Sequence, residues 1–169
     1  MVKLTTLLES VERTPVSIGF LKKKVPDGVD VFAYEQLKGK HRSTLFKNKR
    51  GIIVLIPKKG SKKGHFVALI PRRNHIEYFS SLGNSFETEL KLLKEPLNIF
   101  QTLLGKQFIY NNIRFQSGMY SINTCGAWVL ARVKLAGLKL RDFQQLFNRI
   151  TLSNADDIVS MMVLLDFSN

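Results

Sequence analysis

The chain carries a single cysteine, Cys125, in the run Gln116-Ser-Gly-Met-Tyr-Ser-Ile-Asn-Thr-Cys125-Gly126-Ala-Trp128, well downstream of Gly64-His65-Phe-Val-Ala-Leu. A thiol and an imidazole are the groups that a nucleophile and its base require. A lone cysteine makes no internal disulfide. This one is followed by Gly at the head of an apolar run, where a loop enters a helix. There the unpaired N–H groups and the positive helix end favour thiolate over thiol. The competing reading is structural, because a free cysteine is among the most buried residue types and packs as a small hydrophobe.

Hydrolysis through a thiolate needs a histidine to hold the ion pair and then protonate the leaving amine. It also needs a group to orient that histidine and donors for the developing oxyanion. Cys125 is the candidate nucleophile. The backbone N–H groups around Cys125 and Gly126, with the side-chain amide of Gln116, are the candidate oxyanion donors. His65 opens a strand directly after a Gly-rich basic loop, so its imidazole can project from the sheet edge toward the helix that Cys125 starts. His41 sits in a basic stretch that disfavours imidazolium, and His75 is in a turn. Neither a Gly-x-Gly phosphate loop nor a Cys/His cluster suited to zinc is present, so no metal or cofactor is expected.

The elements that must position these groups follow from periodicity. Residues 4–13 suit a short helix, and Val25-Pro-Asp-Gly28 breaks the chain before 29–37, which suits a strand or a substrate-side loop. Gly51–Pro57 and His65–Pro71 are apolar runs of buried-strand length joined by a basic turn, and Ile76–Phe79 reads as a third strand. Phe86–Leu93 and Pro96–Leu104 show helical spacing, and Phe108–Phe115 is aromatic and β-branched enough for a strand. Helices are then expected over Gly126–Leu135 and Leu140–Ile150, with a last one through Val163 that Ser153 caps and Asp156 opens. Trp128 and Arg132, four apart, share a helix face as core and rim. The fold class is α+β, a small central mixed sheet flanked by helices, in one domain over 1–169.

Charge divides the chain. Its net +13 is regional: residues 1–73 hold 17 Lys/Arg against 5 Asp/Glu, net +12, and residues 74–169 hold 9 against 8. The cations cluster at Lys22-Lys23-Lys24, Lys38/Lys40/Arg42, Lys47/Lys49/Arg50, Lys58-Lys59, Lys62-Lys63 and Arg72-Arg73. Loop-borne cations on one half of a fold make a polyanion-binding face without base readout, although any one Lys-rich loop is also simply a solvated surface. No apolar run reaches the roughly 20 residues that span a bilayer. The N-terminus is charged too early for a signal peptide. The expectation is a soluble, intracellular protein with a reduced thiol and no membrane partner.

Taken in order, Gly-His-aromatic-Val-Ala, a strand ending in Tyr78-Phe-Ser-Ser-Leu-Gly83, then Gln116 and Thr124-Cys-Gly126, resemble the adenovirus-protease and ubiquitin-like-protein-protease clan. The run Asn123-Thr-Cys-Gly-Ala-Trp128 followed by Arg132 looks most like the maturation proteases of virophages, Polinton-type elements and large DNA viruses. Gly28-Val-Asp-Val-Phe-Ala-Tyr-Glu-Gln-Leu37 resembles a substrate-side segment of the same group. The resemblance spans roughly residues 20–165. It implies a catalytic Cys125, a base His65, an oxyanion residue Gln116, and Ser80 at the position of the clan's Asp or Glu. Ser80 would orient the His65 Nδ1–H as a neutral acceptor; Glu87, Asn84 or a water are the alternatives, and Glu77 has the wrong strand parity. Gln116 lies nine residues before Cys125, a longer spacing than usual in the clan, with Asn123 as the alternative amide donor.

The same resemblance implies a cysteine endopeptidase that cleaves capsid or core precursor proteins at small-residue or Gly-Gly-like sites during virion maturation; the chain is expected to be a monomer. Its place would be the virion and the host cytoplasm or viral factory. DNA, held by the basic residues 22–73, is the expected partner and a candidate activating polyanion. A catalytically weak or inactive protease-fold protein that binds DNA inside the virion is the alternative. A cellular deconjugase of ubiquitin-like modifiers fits the basic face poorly.

Overall fold

The computed structural model describes residues 16–60, 64–117, 124–148 and 152–166. The helix expected over 4–13, the lysines 62 and 63 and the amide of Asn123 lie outside them. Helix α1, Ile18–Lys24, is capped by Ser17, whose hydroxyl accepts from the Phe20 N–H. Strand β1 (Val29–Ala33) runs into a 3-10 turn, Tyr34–Leu37, and a short helix α2 (Arg42–Leu45) follows. Strands β2 (Gly51–Pro57), β3 (Gly64–Pro71) and β4 (Ile76–Ser80) lead to helices α3 (Phe86–Leu93) and α4 (Asn98–Leu104) and strand β5 (Phe108–Tyr110). Helices α5 (Cys125–Lys134), α6 (Leu140–Phe147) and α7 (Leu152–Asp166) complete the described chain.

The strands form one mixed sheet in the order β1-β2-β3-β4-β5, with parallel pairs at both edges and two antiparallel pairs in the middle. The central strands read as unbroken apolar runs because both faces of the sheet are covered. Ile53, Phe66, Ala68 and Phe79 meet Trp128, Val129 and Phe143 on one face, and Val54, Val67, Leu69 and Tyr78 meet Phe86, Leu90 and Phe100 on the other. Tyr34 belongs to the second core, edge-on to Phe100. That residue therefore packs on the sheet and does not face a substrate-side surface. Among the described residues no helix is long and apolar enough to cross a membrane.

Two expectations are revised here. Strand β5 stops at Tyr110 and not at Phe115, because the side chain of Asn111 takes the backbone of Ser80 in place of a ladder partner. Its Oδ1 accepts from the Ser80 N–H at 2.8 Å, and its Nδ2 donates to the Ser80 carbonyl. Arg132 is not a rim residue; it is fully buried. Its Nε donates to Glu77 Oε1 at 2.7 Å, and Nη1 and Nη2 close the end of α5 on the carbonyls of Leu135 and Leu138. Arg72 reaches the same carboxylate at 2.8 Å, so this member of the basic clusters is committed to an internal ion pair. Removing one partner of a buried, hydrogen-bonded ion pair strands the other charge, so Arg132→Met is expected to destabilise the protein by about 3 kcal/mol in urea unfolding. A loss under about 1 kcal/mol would mean that Arg72 alone neutralises Glu77.

Candidate active site

The site lies where the β3 strand begins and helix α5 begins. His65 is the second residue of β3 and is buried. In the β3–β4 register Val67 faces Ser80, so His65, two residues away, shares that face and lies diagonal to Ser80. The Ser80 Oγ is 3.1 Å from His65 Nε2. The nitrogen involved is thus Nε2, where Nδ1 was expected.

Ser80 does not act alone. Its hydroxyl donates to Glu89 Oε1 at 2.5 Å and accepts from the Leu82 N–H at 3.2 Å. A hydroxyl has one proton and two lone pairs. With the proton on the Glu89 side, the remaining lone pair receives an N–H from His65 Nε2. That arrangement leaves Nδ1 as the ring nitrogen available to Cys125. Glu89 Oε1 also stands 3.5 Å from His65 Nε2 and accepts from Asn84 Nδ2 at 3.4 Å. Helix α3 supplies this carboxylate because Ser85 caps its first turn and Phe86, Glu89 and Leu90 share its buried face. Glu87, the carboxylate weighed for this role, is exposed on the opposite side of the same helix. Glu89 was missed, yet its three-residue offset from Phe86 was enough to place it inward.

Cys125 is half-buried at the first position of α5. Burial pushes its thiol up, but the hydrogen bond and charge of His65, then the N–H groups of Phe66 and Gly126, outweigh that and hold it below its usual range. The histidine responds in kind. Burial pushes the imidazole down, whereas its hydrogen bond to Cys125 and the charges of Glu89 and Cys125 raise it above the ordinary value. The two shifts agree in sense: both favour a thiolate–imidazolium pair. His41 is exposed at the start of α2, and His75 lies in the turn at the far end of β3.

Gln116 is buried beside the same strand end. Ser81, the neighbour of Ser80, donates its hydroxyl to Gln116 Oε1 at 2.9 Å, and its carbonyl accepts the Phe115 and Gln116 N–H groups. The side-chain amide is held by its acceptor end, which directs the donor end away from Ser81. Ser80, the last residue of β4, thus serves the histidine, and Ser81, just beyond the strand, serves the glutamine.

The last helix begins at Leu152, so Ser153 lies inside it and not at the position before its first turn. Asp156, expected in an acidic first turn, is fully buried. It accepts from the Ser117 N–H at 2.7 Å, from Thr124 Oγ1 at 2.6 Å and from Trp128 Nε1 at 2.8 Å. Burial pushes the Asp156 carboxyl up, and these three donors pull against that rise. Among the described residues, no group of His, Cys, Asp and Glu could hold a metal ion.

No family model matches the chain. It is 29% identical over 107 residues to a Sputnik virophage protein, uncharacterized protein V9, a match covering 56% of this chain. The chain spans 61% of that protein's length. Among solved structures, the central domain of the Legionella pneumophila protein Lpg1148 matches with a TM-score of 0.51 at 14% identity, covering 92% of this chain and 98% of that one. At that identity the likeness is one of fold. The yeast Ulp1 protease domain, solved with the SUMO orthologue Smt3, matches at a TM-score of 0.41 and 14% identity, over 97% of this chain and 77% of that one.

Proposed function

We propose that this chain is a cysteine endopeptidase. The observation that carries the reading is the continuous set Cys125–His65–Ser80–Glu89: a half-buried thiol against an imidazole whose far nitrogen is held by a hydroxyl on a buried carboxylate. In the proposed reaction the Cys125 thiolate attacks the scissile carbonyl carbon. The oxyanion is received by the N–H groups at the start of α5, which have no intrahelical acceptor, and by the Gln116 side-chain amide. The His65 imidazolium gives its proton to the leaving amine as the C–N bond breaks. Water then enters, His65 takes its proton, and the thioester releases the acid. Ser80 and Glu89 hold the ring in place and stabilise its charge throughout.

The finer reading is a maturation protease that cleaves capsid or core precursors packaged with DNA, working in the virion and the host cytoplasm or viral factory. The virophage relative and the basic residues 22–73 support it. A serine where the clan has an acid would favour the inactive, DNA-binding alternative; the buried Glu89 bonded to that serine supports the active reading.

The test is cleavage of fluorogenic peptides bearing small residues or Gly-Gly before the scissile bond. Cys125→Ala should reduce turnover at least about a thousandfold, to the background left by binding and the oxyanion donors. Salt-sensitive DNA binding with no Cys125-dependent turnover would overturn the protease reading in favour of the binding protein.

A further inference from the structure

We propose that Asp156, on helix α7, is a positioning residue that sets the oxyanion site by tying together both ends of the loop between Gln116 and Cys125. This deepens the protease reading and rests on it. The loop joins the candidate oxyanion amide to the candidate nucleophile, and its two ends have no strand or helix in common. One carboxylate bridges them: Oδ2 takes the N–H of Ser117, next to Gln116, and Oδ1 takes the hydroxyl of Thr124, next to Cys125.

The second contact has a chemical consequence beyond tethering. Thr124 is the N-cap residue of α5, and a threonine there normally turns its hydroxyl onto an N–H of the first turn. Here the Thr124 side chain does not cap α5, because the hydroxyl is directed to Asp156 instead. The first-turn N–H groups that would receive an oxyanion are thereby kept clear of the threonine hydroxyl. Gln116 is meanwhile pinned by Ser81 on one side and, through Ser117, by Asp156 on the other. Without the carboxylate, Thr124 is released to cap the helix, and the Gln116 end of the loop loses its fixed distance from Cys125.

A carboxylate that is fully buried and, among the described residues, has no cation as a hydrogen-bond partner is a costly thing to keep for packing alone. The third donor, Trp128 Nε1, separates the two roles. It bonds to the same oxygen as Thr124 but belongs to the interior of α5, so its loss removes support from Asp156 without freeing either loop end.

The experiment compares Asp156→Ala, Asp156→Asn, Thr124→Val and Trp128→Phe in the full chain. Misplacing a donor by about an ångström costs about a hundredfold, so Asp156→Ala should lower kcat by about that factor. Its KM and the low-pH alkylation of Cys125 should stay within about threefold, since the ion pair with His65 is untouched. Thr124→Val should lower kcat by about tenfold and Trp128→Phe by less than about threefold. Should Asp156→Ala not fold, Asp156→Asn and Thr124→Val carry the same comparison. A folded Asp156 variant with wild-type kcat would overturn the proposal, as would a Trp128→Phe loss equal to that of Asp156→Ala.

Amide hydrogen exchange gives a readout independent of activity. In Asp156→Asn or Asp156→Ala the Ser117 N–H should exchange at least about tenfold faster, while the Gln116 N–H, bonded to Ser81, stays slow. Unchanged Ser117 exchange would overturn the tie even in an active enzyme. Failure of the protease reading appears separately, as wild-type protein without Cys125-dependent turnover, and the Ser117 measurement still decides the tie.

Discussion

Iodoacetamide is expected to alkylate Cys125 in the wild-type protein well below pH 8.5, about where a free thiol titrates, and His65→Ala is expected to remove most of that low-pH reactivity. The sign follows from the balance at the sulfur. Burial alone raises the thiol, and in the native protein the hydrogen bond and charge of His65 overcome it. Removing the imidazole leaves the burial and deletes the two largest opposing effects. The thiol then rises toward or above its free value, and for each pH unit that it rises the thiolate fraction near pH 6 falls by about tenfold. The N–H groups of Phe66 and Gly126 remain, so a small residual reactivity should persist. An alkylation profile that His65→Ala leaves in place would reduce Cys125 to a structural thiol tuned by its helix end. That outcome would sink the catalytic pair, whatever the fold.

Removing the carboxylate behind Ser80 should act on the other limb of the pH profile. Turnover needs thiolate and imidazolium together, so the rate should follow a bell whose acid side reports Cys125 and whose alkaline side reports His65, as apparent values of the coupled pair. The charge of Glu89 is one of the causes that raise His65. Glu89→Gln keeps the shape but deletes the charge. The imidazolium should then lose its proton at a lower pH, drawing the alkaline limb inward and cutting kcat at pH 7 to 8 by about tenfold. The acid limb should hardly move. A general loss of packing would lower the whole bell without shifting one side of it.

Moving the charge by one contact gives the stronger form of the test. Ser80→Asp in the Glu89→Gln background returns one carboxylate to the histidine and should restore the alkaline limb. Ser80→Asp alone crowds two carboxylates at one site, where like charges keep one protonated, and should gain nothing over wild type. Failure of the double variant to recover, in a protein that still alkylates at low pH, would mean that Glu89 supports the fold and not the imidazolium.

The double-sided sheet, the helix after Cys125 and the helix at Phe86–Leu93 were legible because each depends on local pattern. Unbroken apolar runs of strand length between Gly and Pro identify β2 and β3, apolar spacing of three and four identifies α3, and the apolar run after Cys125-Gly126 identifies α5. Where expectation and structure part, a distant side chain has replaced a local partner. Asn111 ends β5 by taking the backbone of a different strand. Arg132 is pulled from rim to core by Glu77, 55 residues earlier in the chain. Asp156 reads as a helix-opening acid until two loop ends and a tryptophan converge on it.

By itself, the sequence determined the α+β class, the candidate thiol at a helix start, the imidazole at a strand start, and the parity that separates Glu77 from Ser80. These are consequences of residue type and period, and need no knowledge of what lies across the fold. Only the tertiary structure decided which carboxylate stands behind His65. It also decided which ring nitrogen that carboxylate addresses and that Ser81 holds the Gln116 side chain. The physical reason is that a buried charge or amide must find partners wherever the packed chain brings them, and that requirement leaves no periodic trace in the residues that meet it.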